Sequence, residues 1–221
     1  IISPVLANIY MHNVLTLWFQ YIIAKECKGE CFLVVYADDF IAGFQYPWEA
    51  ERFYEQLRSR MAKFGLELEE NKSRIVESGR YLASLKAKRG ESTRLGTFDF
   101  LGFTFYCGRT TKGNPWIMPK TSSKKFRQKV KEIKIWLYNN KEQKLGKLMY
   151  MLNVKLVGHY RYYGISFNSR MISNYKQQVR ELLYKVLNRR SEKKSYTREG
   201  FIEMMKYYKL VNPKIYYSLF C

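Results

Sequence analysis

Two adjacent aspartates, Asp38 and Asp39, are the residues of this sequence whose type and spacing best suit chemistry. An aromatic and a very small residue, Tyr36 and Ala37, come just before them. Because successive side chains of a strand alternate between faces, neighbouring carboxylates reach one target only where the chain turns. Carboxylates held together repel each other and are costly to desolvate, and a divalent cation removes that cost. The pattern therefore predicts part of a metal site for phosphoryl or nucleotidyl transfer.

An ordinary surface turn is the alternative explanation, since Asp-Asp is a common turn dipeptide. The flanking sequences weigh against it, because residues 32–35 and 40–44 are nearly continuous apolar runs. Such runs are typical of strands that are buried on both faces. We therefore expect a buried hairpin that carries the two acids at its turn, where a substrate backbone can approach closely.

Composition limits the class of protein. The 221 residues are 47% hydrophobic, enough for one large domain or two small ones. No apolar run is long enough to predict a membrane-spanning helix. The N-terminus has no basic region followed by an apolar one, so it does not predict a signal peptide. Cys27 and Cys31 are spaced loosely like metal ligands, but both histidines lie far away in sequence, which favours free thiols in a reducing cytosol. The sequence begins with Ile1 inside a predicted element, which indicates a piece of a longer protein.

The net charge of +20 lies entirely in the second half of the chain. Residues 1–108 contain 13 Lys/Arg and 13 Asp/Glu, whereas residues 109–221 contain 26 Lys/Arg and 6 Asp/Glu. The second half is also rich in tyrosine, and basic surfaces interleaved with aromatic side chains are typical of nucleic-acid binding. A solvated basic face without a partner is the alternative. A membrane partner ranks last, because no basic helix has a strong Trp/Leu face.

Hydrophobic periodicity and turn residues predict the elements that position these groups. In the first part of the chain we expect a helix over 4–24, strands over 31–36 and 40–45, a helix over 48–64 capped by Gly65, and short strands over 66–68 and 73–77. We then expect a loop or long hairpin over 79–96, a strand pair or bent strand over 98–106 with a bulge allowed by Gly102, and a turn over 108–115. The rest of the chain predicts helices over 121–140, 143–163, 168–190 and 197–208. This is an α+β layout followed by a basic helical bundle.

Five ordered blocks resemble the C-terminal part of a group II intron-encoded reverse transcriptase (maturase). They are Ile1–Tyr10, Tyr36–Asp39, Gly65–Lys72, Phe100–Phe103 and Leu152–Gly164. In order they resemble the block after the family's Gln-Gly-Gly turn, its catalytic hairpin, its lysine-bearing block, its primer-grip strand and its maturase segment. The resemblance implies an α+β fold with a partial right-hand polymerase palm, an antiparallel sheet with helices, over 1–119. An α-helical thumb bundle would follow over 120–221.

The resemblance also implies residue roles. Asp38 and Asp39 would bind Mg²⁺, with Mn²⁺ as an alternative, and Lys72 would lie near the incoming triphosphate as a catalytic cation. Substrate contacts would come from Ser3, Pro4, Tyr36, Ala37, Leu101 and Gly102. Nucleic-acid contacts would come from Lys120, Lys124, Lys125, Arg127, Lys131, Arg161 and Tyr162.

Structural explanations compete with several of these roles. Without the resemblance, a solvated strand-end lysine is the favoured explanation of Lys72. Ser3 and Pro4 fit a plain helix start. Gly102 fits a bulge in a core strand. Each basic side chain alone fits a solvated helix face, and Tyr162 fits packing between helices.

The implied protein is an RNA-directed DNA polymerase that also binds its group II intron RNA and assists its splicing. Its partners would be that RNA, an RNA template with a DNA primer, and dNTPs, in the bacterial cytoplasm near the nucleoid. Because no basic helix has a strong Trp/Leu face, we expect no membrane partner, and the sequence does not indicate an oligomeric state. The family's first metal-binding carboxylate comes from a strand upstream of Ile1, so we expect this chain alone not to polymerise. A non-catalytic RNA-binding maturase module, or a related reverse transcriptase with a role such as phage defence, is the alternative.

Overall fold

A computed structural model of the chain shows two compact units, residues 1–77 and residues 78–221. The described residues are 2–69, 72–91, 95–189 and 196–219, without the side chains of Ser3 and Pro4. Helices and two small antiparallel sheets confirm the α+β class. Within the described ranges, no helix combines the length and apolarity that a membrane crossing requires.

The first unit packs a long helical stretch and one further helix against a hairpin. Its elements are α1 (Ile2–Met11), π-helical turns His12–Thr16 and Phe19–Ile23, α2 (Ala24–Glu26), β1 (Cys31–Tyr36), β2 (Asp39–Phe44) and α3 (Pro47–Lys63). Apolar residues at helical spacing, such as Leu15 and Phe19 on the first stretch and Phe53 and Leu57 on α3, form its core. These elements lie within three residues of their predicted bounds.

Only one face of the hairpin is covered in the described structure. Leu33 and Val35 pack against the core, whereas Phe32, Val34 and Tyr36 on the opposite face are 58%, 47% and 63% exposed. The expectation of a hairpin buried on both faces is therefore wrong for this outer face, although the strands and their turn are where the sequence predicts them.

The segment after α3 is irregular. Gly65 adopts φ +66° and ends the helix as predicted, with the Leu66 amide donating to the Met61 carbonyl at 2.9 Å. Residues 66–69 and 72–79 contain no strand, so the short strands predicted here are wrong. Alternating apolar residues do not make a strand without a neighbour that pairs with their backbone.

The second unit begins with α4 (Arg80–Lys88) and a three-stranded sheet, β3 (Phe98–Phe100), β4 (Phe103–Arg109) and β5 (Pro115–Thr121), in the order β3-β4-β5. The expectation of a loop or hairpin over 79–96 is wrong at α4, whose Ala83 is buried against its surroundings. The turn predicted over 108–115 ends where β5 begins, and β5, which contains Pro115 and Pro119, is a strand that the sequence did not predict. As an edge strand, β5 tolerates residues that lack an N–H.

Four helices complete this unit close to their predicted positions: α5 (Ser123–Asn139), α6 (Leu145–Tyr163), α7 (Ser169–Leu187) and α8 (Arg198–Tyr207). The Ser122 hydroxyl caps α5 by accepting from the Lys125 amide at 3.3 Å. Fully buried side chains such as Leu137, Leu152 and Leu183 form the core between the helices. The periodicity of the apolar positions therefore predicted this bundle well.

Asn168 joins the sheet to the bundle from a fully buried position. Its Oδ1 accepts from the Thr121 amide at 2.8 Å, and its Nδ2 donates to the Thr121 hydroxyl at 2.9 Å and the Tyr163 carbonyl at 2.8 Å. One amide side chain therefore fixes the end of β5 against the loop between α6 and α7.

Candidate active site and nucleic-acid interface

The Asp-Asp hairpin turns in two residues. Tyr36 pairs with Asp39, which leaves Ala37 and Asp38 as the turn. Ala37 adopts φ 53°. A left-handed residue at the first turn position favours glycine, so an alanine there stores strain of about 1–2 kcal/mol. The turn carries one carboxylate at its second position and the other at the first residue of β2.

Both carboxylates are exposed, which leaves their oxygens accessible to a cation. Hard oxygens of this kind fit Mg²⁺, which retains several waters and takes one or two carboxylates from protein. Among residues 2–69, 72–91, 95–189 and 196–219, no group of three or more His, Cys, Asp or Glu is arranged to hold a metal. The described part of the chain thus offers two carboxylate ligands, Asp38 and Asp39.

Lys72 shares the electrostatic field of these acids. Its ammonium forms an ion pair with the Glu69 carboxylate, and both side chains are well exposed. The hydrogen bond to Glu69 raises the pKa of Lys72 above its ordinary value, and the charges of Glu69, Asp39 and Asp38 act in the same direction. Lys72 is therefore held protonated near the turn. Sequence reasoning missed Glu69, although its spacing of three residues from Lys72 was a usable signal.

A cleft of about 500 Å³ adjoins the turn. Tyr36 and Ala37 line it from the hairpin, and Asn8, His12 and Thr16 line it from the helical stretch. His12 and Thr16 bound a π-helical turn, a feature frequent at functional sites. Sequence reasoning missed these three polar residues, whose recurrence at every fourth position was the signal for a shared helix face.

The Leu101-Gly102 pair forms the turn between β3 and β4, with φ of 48° and 80°. Left-handed values at both positions define a type I′ hairpin turn, so the segment is a strand pair and Gly102 makes no bulge. The Tyr162 hydroxyl donates to the Leu101 carbonyl at 3.0 Å, and the Ser122 amide donates to the Gly102 carbonyl at 3.0 Å. A Cβ on Gly102 would lie 3.3 Å from the Tyr163 hydroxyl. The turn is therefore fixed to α6 and to the start of α5.

The basic residues predicted to bind nucleic acid are all exposed. They are Lys120, Lys124, Lys125, Arg127, Lys131 and Arg161. Lys124, Arg127 and Lys131 recur at helical spacing along one face of α5, and the Lys120 ammonium lies 5.0 Å from the centre of the Tyr106 ring. A continuous cationic face of this kind suits a phosphate backbone.

Tyr162 combines packing with exposure. Its ring lies parallel to Phe103 at 6.0 Å between centres, yet the residue remains 54% exposed. Its neighbour Tyr163 is only 4% exposed, so packing accounts for Tyr163. Tyr162 therefore has a structural contact and an accessible ring at once.

Ser3 and Pro4 lie in the first turn of α1, where a proline's missing N–H costs no hydrogen bond. The helix begins at Ile2, so Ser3 lies one residue inside the helix and is not its cap. Their side chains lie outside the described part of the structure, and their predicted substrate contacts stay predictions.

Comparison with protein families agrees with this geometry. A model of the reverse transcriptase (RNA-dependent DNA polymerase) family matches residues 1–105, which contain both turns, so this part of the chain is of the reverse transcriptase class. A model of the group II intron maturase-specific domain matches residues 123–208, which are α5 to α8 with their loops. The chain therefore belongs to the group II intron reverse transcriptase/maturase family, as the resemblance indicated. Comparisons with curated proteins and with solved structures each gave no significant match.

Proposed function

We propose that this chain is part of an RNA-directed DNA polymerase that also binds its group II intron RNA and assists its splicing. The observation that carries the proposal is the strained hairpin turn with Asp38 and Asp39, which has Lys72 in its electrostatic field and lies in the segment matched by the reverse transcriptase family. Templated DNA synthesis on a nucleic-acid primer is the chemistry that fits such a site.

Each residue of the turn would have a distinct role. Asp38 and Asp39 would hold Mg²⁺, or Mn²⁺ as its substitute. When bound, the metal supplies charge stabilisation for the attacking and leaving oxygens of the transferred nucleotide. Lys72, held cationic by Glu69, would stabilise charge on the triphosphate or donate a proton to the leaving group. The small side chain of Ala37 would leave room for the primer terminus.

The remaining contacts divide between substrate and duplex. Ser3 and Pro4 would border the nucleotide and the templating base, and Tyr36 would lie beside the nucleotide. The Leu101-Gly102 turn would guide the primer backbone, in a palm that we place at 1–119. The cationic face of α5 and Arg161, in a thumb that we place at 120–221, would hold the template–primer duplex or intron RNA.

The test is primer extension by the protein that contains this chain, with and without the Asp38→Asn substitution. Because Asn removes a charged ligand without changing side-chain size, we expect primer extension to fall at least about a hundredfold. Affinity for structured RNA should stay within about twofold, since the turn is outside the basic half.

Asp99→Asn is the matched control, because it alters the remaining aspartate of the chain. The Asp99 carboxylate accepts a hydrogen bond from Thr104 within the β3–β4 hairpin. Extension should survive this substitution. Equal losses in the two variants, or extension that survives Asp38→Asn, would refute the assignment of the site.

An RNA-binding maturase module without polymerase chemistry is the second candidate for the chain on its own. It is favoured by the match to the maturase-specific domain and by the basic charge of residues 109–221. If the chain acts as such a module, the purified 221 residues should bind intron RNA without extending a primer. Magnesium-dependent extension by this chain would contradict that expectation.

A further inference from the structure

A second groove, of about 740 Å³, lies within the second unit, and none of the residues of the two turns described above lines it. One wall is the first turn of α4, with Arg80, Tyr81 and Ser84. The other wall is the tip of the β4–β5 hairpin, residues 110–116. Its volume is in the range of sites that hold a small ligand or a short segment of a polymer.

The electrostatics of the groove favour an anion. Arg80 and Lys112 contribute positive charge from opposite walls, and no carboxylate lies among the side chains that line the groove in the described structure. Lys88 and Arg89 add positive charge at the far end of α4 and are exposed. Phosphate is the anion that such a pair of cations suits best.

The groove also presents aromatic surface. Tyr81 is 75% exposed, the second most exposed of the large hydrophobic side chains in the described ranges. The Arg80 guanidinium lies 5.5 Å from the centre of the Trp116 ring, within the range of a cation–π contact that holds it beside the ring. An exposed tyrosine beside a guanidinium is a platform on which an unpaired base can stack.

The walls of the groove are held in shape by hydrogen bonds. The Thr110 amide donates to the Asn114 carbonyl at 2.9 Å, and the Asn114 amide donates to the Thr110 hydroxyl at 3.2 Å. The Ser84 hydroxyl donates to the Arg80 carbonyl at 3.0 Å. A preformed site spends less binding free energy on ordering its own groups.

We propose that this groove binds a single-stranded segment of nucleic acid, with an unpaired base stacked on Tyr81 and its phosphates on Arg80 and Lys112. The site differs from the cationic face of α5, because a stacking platform requires a base that is not already paired. The protein would thus hold duplex and unpaired nucleic acid on separate surfaces. Failure of the polymerase assignment would leave this proposal standing, since it uses none of the residues of the Asp-Asp turn.

The experiment uses the 221-residue chain and a 12-nucleotide oligouridylate with one central 5-iodouridine. Irradiation should crosslink the iodouracil to an aromatic residue, mapped by mass spectrometry to the peptide that contains Tyr81 or Trp116. Tyr81→Ala should lower affinity for the single strand about tenfold, which lies within the range for loss of one stacked base. Tyr81→Phe keeps the ring and should bind like the unmodified chain.

Tyr207→Ala is the matched control, because Tyr207 is 82% exposed and lies outside the groove. It should change neither affinity nor crosslinking. A 12-base-pair RNA duplex should bind the Tyr81→Ala variant as well as it binds the unmodified chain. An oligodeoxythymidylate of equal length shows whether the groove discriminates RNA from DNA, and binding of either one through Tyr81 supports the proposal.

Three results would overturn it: crosslinks confined to other peptides, equal affinities for the Tyr81→Ala and Tyr207→Ala variants, or equal losses for single strand and duplex. The first two would make the groove a surface for another class of partner, such as a peptide. The third would make Tyr81 a general structural residue.

Discussion

Lowering the pH should destabilise the second unit through His159. The residue is only 8% exposed, its ring stacks on Tyr175 at 3.7 Å between centres, and its Nε2 has no hydrogen-bond partner within the described structure. Burial lowers the pKa of His159 from 6.5 to about 4, and the nearby charge of Lys129 acts in the same direction. The folded chain therefore keeps this imidazole neutral.

The sign and size of the pH dependence follow from the difference between the pKa values of His159 in the folded and unfolded chain. The folded pKa lies below the unfolded one, so the stabilisation is complete above pH 6.5 and is lost as the pH falls towards 4. One pH unit corresponds to about 1.4 kcal/mol, so the free energy of unfolding should fall by about 3 kcal/mol over this range. That is a large fraction of the stability of a typical domain.

Urea denaturation between pH 4 and 7.5, followed by circular dichroism, measures this loss. The His159→Phe variant keeps an aromatic ring against Tyr175 but cannot be protonated, and carboxylates titrate alike in both proteins. The difference between their stability curves isolates His159. Parallel curves for the His159→Phe variant and the unmodified chain would refute the reasoning.

Three further predictions concern other features. Asn168→Ala should lower the free energy of unfolding by about 3 kcal/mol, because it leaves the buried Thr121 amide without a hydrogen-bond acceptor. The control Asn174→Ala, on the exposed face of α7, should lower it by under about 0.5 kcal/mol. Similar losses for the two variants in urea denaturation would contradict this prediction. Ala37→Gly should stabilise the first unit by about 0.5–1 kcal/mol, since it relieves the left-handed strain, and a loss of stability would show that the turn is unstrained. Affinity for intron RNA should fall steeply as the salt concentration rises. In a filter-binding assay, the double variant Lys124→Gln/Lys131→Gln should reduce the slope of log K against log salt concentration by about 1.5. An unchanged slope would exclude phosphate contacts by these two lysines.

The sequence predicted helices better than strands, for a physical reason. Helices α5 to α8 form their backbone hydrogen bonds locally and carry periodic apolar stripes, so their pattern alone identifies them. Strand β5 was missed because its two prolines are permitted only by its edge position, which depends on the whole sheet. The strands predicted over 66–68 and 73–77 failed because alternation says nothing about whether a pairing partner exists. Helix α4 was missed because its polar, basic composition concealed the buried Ala83.

At the candidate site, too, features set by neighbouring residues were predicted and features set by distant residues were not. The Asp-Asp turn was located to within one residue, because a chemical signature and its flanking strands are contiguous in sequence. Contacts between distant positions were not predictable, such as the Tyr162 hydroxyl on the Leu101 carbonyl, 61 residues away. The left-handed conformations of Ala37 and Leu101 were also not predictable, because alanine and leucine rarely adopt a positive φ.

The outer face of the β1–β2 hairpin has a consequence for handling the protein. In the described ranges these strands pair only with each other, so the outer edge of each lacks a strand partner, and Phe32, Val34 and Tyr36 are exposed on one face. Open edges next to apolar side chains template intermolecular strand pairing. Self-association during expression should therefore begin at this hairpin, and a lysine in place of Val34 is the substitution that would oppose aggregation while leaving the aspartates and the covered face unchanged.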